Sequence, residues 1–314
     1  MNNFSNKLYI LTEHDDTYKQ LIQNQSLPDL EICEDPAQAD IVLASPPLAA
    51  AKLNEFTQLD WLQSTYAGIN ALVSGDLRQD YTLTNIKGIF GPAIAEYVLG
   101  YSMSHYRHFA LYHQQQAKQQ WQPHFYQSLT GKVMVILGTG SIGSHLAQTA
   151  SALGLHTIGI NRTGIPSKSL SVNEKFGFKD TFHINEIKAA FQQADIIVNT
   201  LPATENTRSL LNEETLSYCK RALLFNVGRG ETLDNKSLLL ALKNGWIEHA
   251  FLDVFENEPL SPTHPFWKLN QITVTPHIAA LSEPRQVVNI FAHNYQLWRD
   301  GFQLNNIIDF DKGY

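Results

Sequence analysis

Three observations predict a doubly wound α/β fold with a second, smaller α/β domain. From Leu129 onward, short apolar runs alternate regularly with segments of helical period, as expected for strands and helices that wind a parallel sheet. One of these runs, Val133-Met-Val-Ile-Leu137, ends in Gly138-Thr-Gly140-Ser-Ile-Gly143, after which Ile142, Leu146 and Ala150 keep helical spacing. The chain has 314 residues, more than one core usually holds, so two domains are expected.

Taken in order, residues 7–12 read as a strand and 16–25 as a helix. Residues 40–47 form a strand stopped by Pro46 and Pro47. Residues 60–70 read as a strand ending in a glycine turn, and 81–86 as another short strand. Residues 94–108 form a long apolar helix that bridges to the next domain, and the Gln-rich stretch 113–122 an exposed helix. The larger layer follows, with strands at 133–137, 156–160, 196–200, 222–227, 250–254 and 272–275. Helices intervene at 142–153, 184–193, 212–219 and 234–244. The helical tail, 283–298, is expected to return to the first domain and make it discontinuous. The expected division is 1–98 with 289–314, and 99–288 between them.

Composition narrows the function. Hydrophobic residues are 43% and charged residues 17%, ordinary values for a soluble globular protein. A net charge of -7 argues against nucleic-acid and anionic-membrane partners. No apolar run has membrane-spanning length, and the first residues lack the apolar core of a secretory signal, so a cytoplasmic protein is expected. The two cysteines, Cys33 and Cys219, suggest neither a disulfide framework nor a thiolate metal cage. His105 and His108 lie three apart but have no further ligand candidates nearby, so no metal is expected.

The glycine motif carries the first chemistry. Gly138 permits a tight turn, Gly140 lets a pyrophosphate approach the backbone, and Gly143 lets helix and strand pack closely. The N–H groups around Ser141 and Ile142, at the helix start, then face the phosphates of a dinucleotide. An NAD site generally places Asp or Glu at the end of the second strand, to accept from the ribose hydroxyl. Here that strand ends in Asn161-Arg162-Thr163, and no acid occurs between His156 and Lys168. Arg162 suits a 2′-phosphate, with Asn161, Thr163, Ser167 and Lys168 as helpers, so NADP(H) is the expected cofactor ahead of NAD.

Four groups sit at the ends of later strands, where open parallel sheets bind ligands. Thr200-Leu201-Pro202 offers an apolar wall to an adenine. Val227-Gly228-Arg229-Gly230 presents a planar guanidinium from a turn, suited to gripping a carboxylate. Asp253 through Glu258 supplies carboxylates, and Thr275-Pro-His277-Ile-Ala279 a histidine. Singly, each reads as a solvated charge or a backbone-satisfied histidine. Jointly they suit hydride transfer to a 2-keto acid: arginine holds the acid and polarises its carbonyl, and histidine protonates the developing alkoxide. A carboxylate then orients the histidine.

These motifs, in this order, resemble the D-isomer-specific 2-hydroxyacid dehydrogenase family, and within it the glyoxylate/hydroxypyruvate reductase A branch. The resemblance runs from about Asp60 to the C-terminus. It implies a Rossmann domain set into a discontinuous flavodoxin-like substrate domain, and a homodimer. It further implies that Arg229 binds substrate, that His277 is the acid/base and that Glu258 orients it. Asp253 then lies on the nicotinamide side with Ala279. Tyr66-Ala67-Gly68 matches the family's substrate loop, whose backbone N–H groups grip the substrate carboxylate. The sequence departs from the pattern in carrying Tyr66 and Asn70 where many relatives have a small residue and an Asp. It also ends the histidine segment in Ala280, and lacks a Trp before Pro46. A dinucleotide-sensing regulator on the same fold and a phosphoglycerate-type dehydrogenase are the alternatives.

Overall fold

The computed structural model describes residues 5–73, 75–166 and 177–310. The chain divides into two compact units, Met1–Ile89 with Ser282–Tyr314, and Phe90–Leu281. The expected boundaries at 98 and 288 fall inside helices, so the division belongs just before each helix begins.

The first unit is built on β1 (Asn6–Leu11), α1 (Asp15–Asn24), β2 (Leu30–Ile32), β3 (Ile41–Ala44), α2 (Pro46–Lys52), β4 (Trp61–Ser64) and β5 (Thr82–Thr84). All strands are parallel, in the order β2-β1-β3-β4-β5, which is the flavodoxin-like order. Every residue of β3 and β4 is buried; β3 is an unbroken apolar run, whereas β4 also buries Gln63 and Ser64. Pro46 and Pro47 do more than stop β3. They open α2, where a missing N–H costs nothing and the fixed φ favours the helix. The sequence reading missed β2 and α2, whose short spans leave too little pattern to read.

The second unit begins with α3 (Gly91–Tyr106) and α4 (Phe109–Ala117). The Gln-rich helix therefore stops at Ala117, earlier than expected, because Gln119 takes a left-handed φ of 54° and Pro123 cannot donate. Next come β6 (Val133–Leu137), α5 (Ser141–Ala152), β7 (His156–Asn161), β8 (Asp180–His183), α6 (Ile187–Phe191), β9 (Ile196–Asn199) and α7 (Glu213–Ser217). The unit closes with β10 (Ala222–Asn226), α8 (Asn235–Asn244), β11 (Ile247–Leu252) and β12 (Ile272–Val274). Its seven strands run in the order β12-β11-β10-β9-β6-β7-β8, all parallel, which is the Rossmann order with one strand added at the edge. Alternate side chains of each strand feed separate cores on the two faces. Val135, Leu137, Ile197 and Leu224 point one way, and Met134, Ile136, Val198 and Phe225 the other. The seventh strand, β8, was not anticipated. Its Asp-Thr-Phe-His lacks an apolar run because it is an edge.

The chain returns to the first unit through α9 (Pro284–Arg299), as expected from the tail. Glu283 caps this helix, accepting from Arg285 and Gln286 N–H. Phe291 of α9 stacks on Trp61 of β4, with ring centroids 5.2 Å apart. A buried polar network runs beside that stack. Trp61 Nε1 donates to Thr84 Oγ1, Thr84 donates to Gln63 Oε1, and Asn294 Nδ2 donates to the same Gln63 oxygen. Residues distant in sequence are thereby joined with no buried donor of the set left unpaired.

Candidate active site

The candidate constellation lies in the second unit, at the C-terminal ends of β10, β11 and β12. Each strand stops where its apolar alternation ends, and the next residues turn out over the edge of the sheet. Arg229 follows β10, and Glu258 lies in the loop that follows β11. Gly230 lets these two loops close on each other: a Cβ there would lie 1.9 Å from the Phe255 carbonyl carbon. His277 follows β12 by three residues and takes a left-handed φ of 55°, a strained conformation for a non-glycine residue.

Asp253 explains how that conformation is held. Its side chain is buried and accepts three hydrogen bonds, from Thr275 Oγ1 at 2.6 Å, Ile278 N at 2.8 Å and Ala279 N at 2.9 Å. Its carbonyl accepts from His277 N at 2.9 Å. Thr275 spends its one proton on Asp253, so the Tyr97 hydroxyl donates to Thr275, across 2.7 Å.

His277 Nδ1 lies 2.8 Å from Glu258 Oε2, and the other Glu258 oxygen accepts from Phe255 N at 2.8 Å. The hydrogen bond that His277 donates to Glu258 raises its pKa above the ordinary value, against the lowering effect of partial burial. Burial acts to raise the Glu258 carboxyl, but the bonds from His277 and Phe255, with the charges of His277 and Arg229, hold it below the usual range. With Nδ1–H donated to Glu258, Nε2 is the atom that can exchange a proton with a ligand. The imidazole is reachable, since its side chain is 51% exposed.

Arg229 is partly buried, and desolvation lowers its pKa while Glu231 and Glu258 oppose that effect. Its Nη1 donates to the Gly228 carbonyl at 2.7 Å, and among the described residues no carboxylate pairs with it. The remaining donors of the fork are therefore available to an acid.

The dinucleotide turn lies at the end of β6. Gly138 takes a φ of 99°, which a side chain rarely adopts. A Cβ on Gly143 would lie 2.0 Å from the Gly138 carbonyl oxygen, so only glycine allows this approach of helix to strand. Gly140 faces open space, and Ser141 beside it is exposed at the start of α5. These features fit a pyrophosphate seated on the first N–H groups of a twelve-residue helix. Ile142 is partly buried against the core. Thr200 Oγ1 donates to the Leu137 carbonyl at 2.8 Å, and the backbone of Leu201 lies within 3 Å of where a Gly228 Cβ would stand. Gly138, Thr200-Leu201-Pro202 and Val227-Gly228 thus end three adjacent strands along one edge.

Beyond β7, Asn161 Oδ1 accepts from Thr163 N, Thr163 Oγ1 and Gly164 N, while Nδ2 donates to Thr139 Oγ1 and the Ile165 carbonyl. Arg162 and Thr163 are exposed on the turn so formed.

In the first unit, Tyr66-Ala67-Gly68 follows β4. Ser64 Oγ accepts from Tyr66 N and donates to its carbonyl, and Asn85 Nδ2 donates to the Ala67 carbonyl at 2.8 Å. These three bonds hold the turn. Among the described residues, the N–H groups of Ala67 and Gly68 have no partner.

Comparison with known proteins follows the same lines. Residues 99–279 match the D-isomer specific 2-hydroxyacid dehydrogenase, NAD binding domain. The chain belongs to the D-isomer specific 2-hydroxyacid dehydrogenase family. Its enzymes are dehydrogenases and reductases that bind a nicotinamide dinucleotide. Over 221 residues, 70% of this chain and 68% of the relative, it is 33% identical to glyoxylate/hydroxypyruvate reductase A of Serratia proteamaculans. A family member from Aeromonas salmonicida is 39% identical, with a TM-score of 0.90 over 98% of this chain and all of that one. Another, from Xanthobacter autotrophicus in complex with NADPH and MES, is 27% identical with a TM-score of 0.85, over 99% of this chain and 100% of that one.

Against the expectations from sequence, this dehydrogenase brings Glu258 and His277 into contact and places Arg229 within reach of both charges. Two residues need a changed description. Asp253 has both carboxylate oxygens committed to the His277 segment, so its first task is to shape that segment. Asn161 likewise has every polar atom engaged in its own turn and serves Arg162 as a frame. Ser167 and Lys168 lie outside the described residues. Sequence reasoning missed Asn85 and Tyr97, because the residues they hold are distant in the chain and no motif joins them. Among the described residues there is no metal-binding group and no helix long and apolar enough to cross a membrane.

Proposed function

We propose that this enzyme reduces small 2-keto acids, of the glyoxylate and hydroxypyruvate kind, to D-2-hydroxy acids with NADPH. The observation that carries the reading is the 2.8 Å contact of His277 with Glu258 beside an arginine that has no acidic partner among the described residues. Arg229 binds the substrate carboxylate and polarises the carbonyl. Tyr66, Ala67 and Gly68, by their resemblance to the family's substrate loop, bind substrate through backbone N–H groups, which makes the first unit the substrate domain. His277, protonated and held by Glu258, delivers a proton from Nε2 to the carbonyl oxygen. The nicotinamide cofactor, when bound, supplies the hydride. Gly138, Gly140, Ser141, Ile142 and Gly143 hold its pyrophosphate, Thr200-Leu201-Pro202 its adenine side, and Val227, Gly228, Asp253 and Ala279 its nicotinamide side. Arg162 grips the 2′-phosphate, which is the basis for preferring NADPH to NADH. The NADPH-bound Xanthobacter relative supports this choice.

The enzyme works as a homodimer on this reading. Trp121 and Phe125 are fully exposed, at 99% and 102%, on a segment fixed by Tyr112 and Arg107. Two aromatic rings exposed to water suit burial against a second copy.

The test is loss of NADPH absorbance on adding glyoxylate, hydroxypyruvate, pyruvate or phenylpyruvate. Turnover of at least one is expected. Tight NADPH binding with no keto acid consumed would replace the reductase reading with that of a dinucleotide-sensing regulator.

A further inference from the structure

The first unit has its own topological switch point. In its strand order the connections reverse direction between β1 and β3, and the crevice beyond those two strand ends is where this sheet type takes a ligand. Glu13 follows β1 and Ser45 follows β3, so the two flank the crevice. Ser45 Oγ donates to Glu13 Oε2 at 2.5 Å, and the Tyr66 hydroxyl donates to Glu13 Oε1 at 3.1 Å. Tyr66 follows β4, which lies on the far side of β3 from β1. Adjacent strands are about 4.8 Å apart, so the phenol reaches across roughly two spacings to meet Glu13. It passes over the end of β3, where Thr65 Oγ1 also donates to Ser45 at 3.3 Å. The ring therefore roofs the switch point, and its hydroxyl is pinned there by a carboxylate.

Tyr66 is also the first residue of the substrate loop. Ser64 fixes its backbone on both sides, so the direction of its side chain is set from both ends. Glu13 stays ionised at neutral pH. Partial burial favours its neutral form, but bonds from Ser45, its own N–H and Tyr66, with the nearby His14, lower its pKa.

We propose that the Glu13–Tyr66 pair determines substrate specificity, admitting 2-keto acids with a small, uncharged substituent and rejecting both bulky substituents and a second carboxylate. The proposal rests on the reading of residues 66–68 as the carboxylate grip. Tyr66 supplies the size limit, because its ring fills space that a small residue would leave to the substrate. Glu13 supplies the charge limit, because its carboxylate faces the same crevice and repels an anionic substituent. A hydrogen, methyl or hydroxymethyl group meets neither barrier.

The experiment compares kcat/KM, with NADPH saturating, for glyoxylate, pyruvate, hydroxypyruvate, phenylpyruvate and oxaloacetate. Tyr66→Ala is expected to raise the phenylpyruvate-to-glyoxylate ratio about tenfold or more. Tyr66→Phe keeps the ring but frees it from Glu13, and is expected to raise the same ratio by less. Glu13→Gln keeps the size and an acceptor but removes the charge, and is expected to raise the oxaloacetate-to-pyruvate ratio about tenfold, leaving the size ratio nearly as it was. Ratios unchanged in all three variants, each still reducing glyoxylate, overturn the proposal alone. An unmodified protein that reduces no keto acid overturns it together with the reductase reading, and absent turnover separates that case from unchanged ratios.

Discussion

At the residue scale the proposed proton donor, His277, is tuned by its neighbours. Glu258 raises the pKa of His277, so the imidazolium survives to higher pH than a free histidine. On the proposed mechanism, reduction needs that imidazolium. The rate is therefore full below the raised pKa and falls as pH rises through it, while oxidation of the hydroxy acid runs the other way. Glu258→Gln removes the carboxylate and is expected to move the falling limb of reduction to lower pH, read from a pH–rate profile; an unmoved limb separates Glu258 from the titration. His277→Ala is expected to lower kcat by roughly 10²–10⁴-fold with NADPH binding nearly intact. Near-normal turnover would remove His277 from the mechanism. Arg229→Lys keeps the charge and loses the planar fork, and is expected to cost about 100-fold in kcat/KM across keto acids. These three residue types were legible in the sequence because each stands at a strand end beside a turn. Their supports were not. Nothing in the sequence couples Asp253 to Ile278 and Ala279, or Tyr97 to Thr275, since those bonds exist only once β11 and β12 pair.

At the element scale the glycine turn and the β7 turn are the parts to test. The turn was readable because its geometry demands a residue type: a Cβ on Gly143 would strike the Gly138 oxygen and crowd Ile136. Gly143→Ala must push α5 away from β6. It is expected to destabilise the second unit by about 1–3 kcal/mol, with a lower Tm and weaker NADPH binding. An unshifted Tm would show that the helix yields freely. After β7, Arg162→Ala is expected to lower the NADPH-over-NADH preference by about 10- to 150-fold, a charged hydrogen-bond set of roughly 1.5–3 kcal/mol. Asn161 is left in place in that variant, because its five bonds hold the turn and its loss would confuse recognition with collapse. An unmodified enzyme that uses NADH as well as NADPH contradicts the cofactor proposal. Strands β6, β9 and β10 were legible because buried parallel strands are largely continuous apolar runs. Strands β2 and β8 were not, being short or polar at a sheet edge.

At the scale of the whole molecule, the first unit is assembled from the two ends of the chain, and its core depends on that return. Trp61 is fully buried, with Phe291 stacked on one ring and Trp298 at 5.7 Å. Phe291 and Tyr295 are fully buried as well, and Tyr295 donates to the Pro28 carbonyl at 2.7 Å. Burial of each such side chain contributes about 1.5–3 kcal/mol, and removing α9 also leaves Gln63 Oε1 without its bond from Asn294. A chain ending at Leu281 is therefore expected to lose the fold of residues 1–89, since several such losses exceed the margin of a small domain. The second unit keeps its own sheet and both of its cores, and is expected to go on binding NADPH. Limited proteolysis with NADPH fluorescence reads both halves of the outcome: rapid cleavage within 1–89, with a cofactor-binding fragment that survives. If residues 1–89 stay protected without α9, the stack on Trp61 is dispensable and the first unit folds from its N-terminal segment alone.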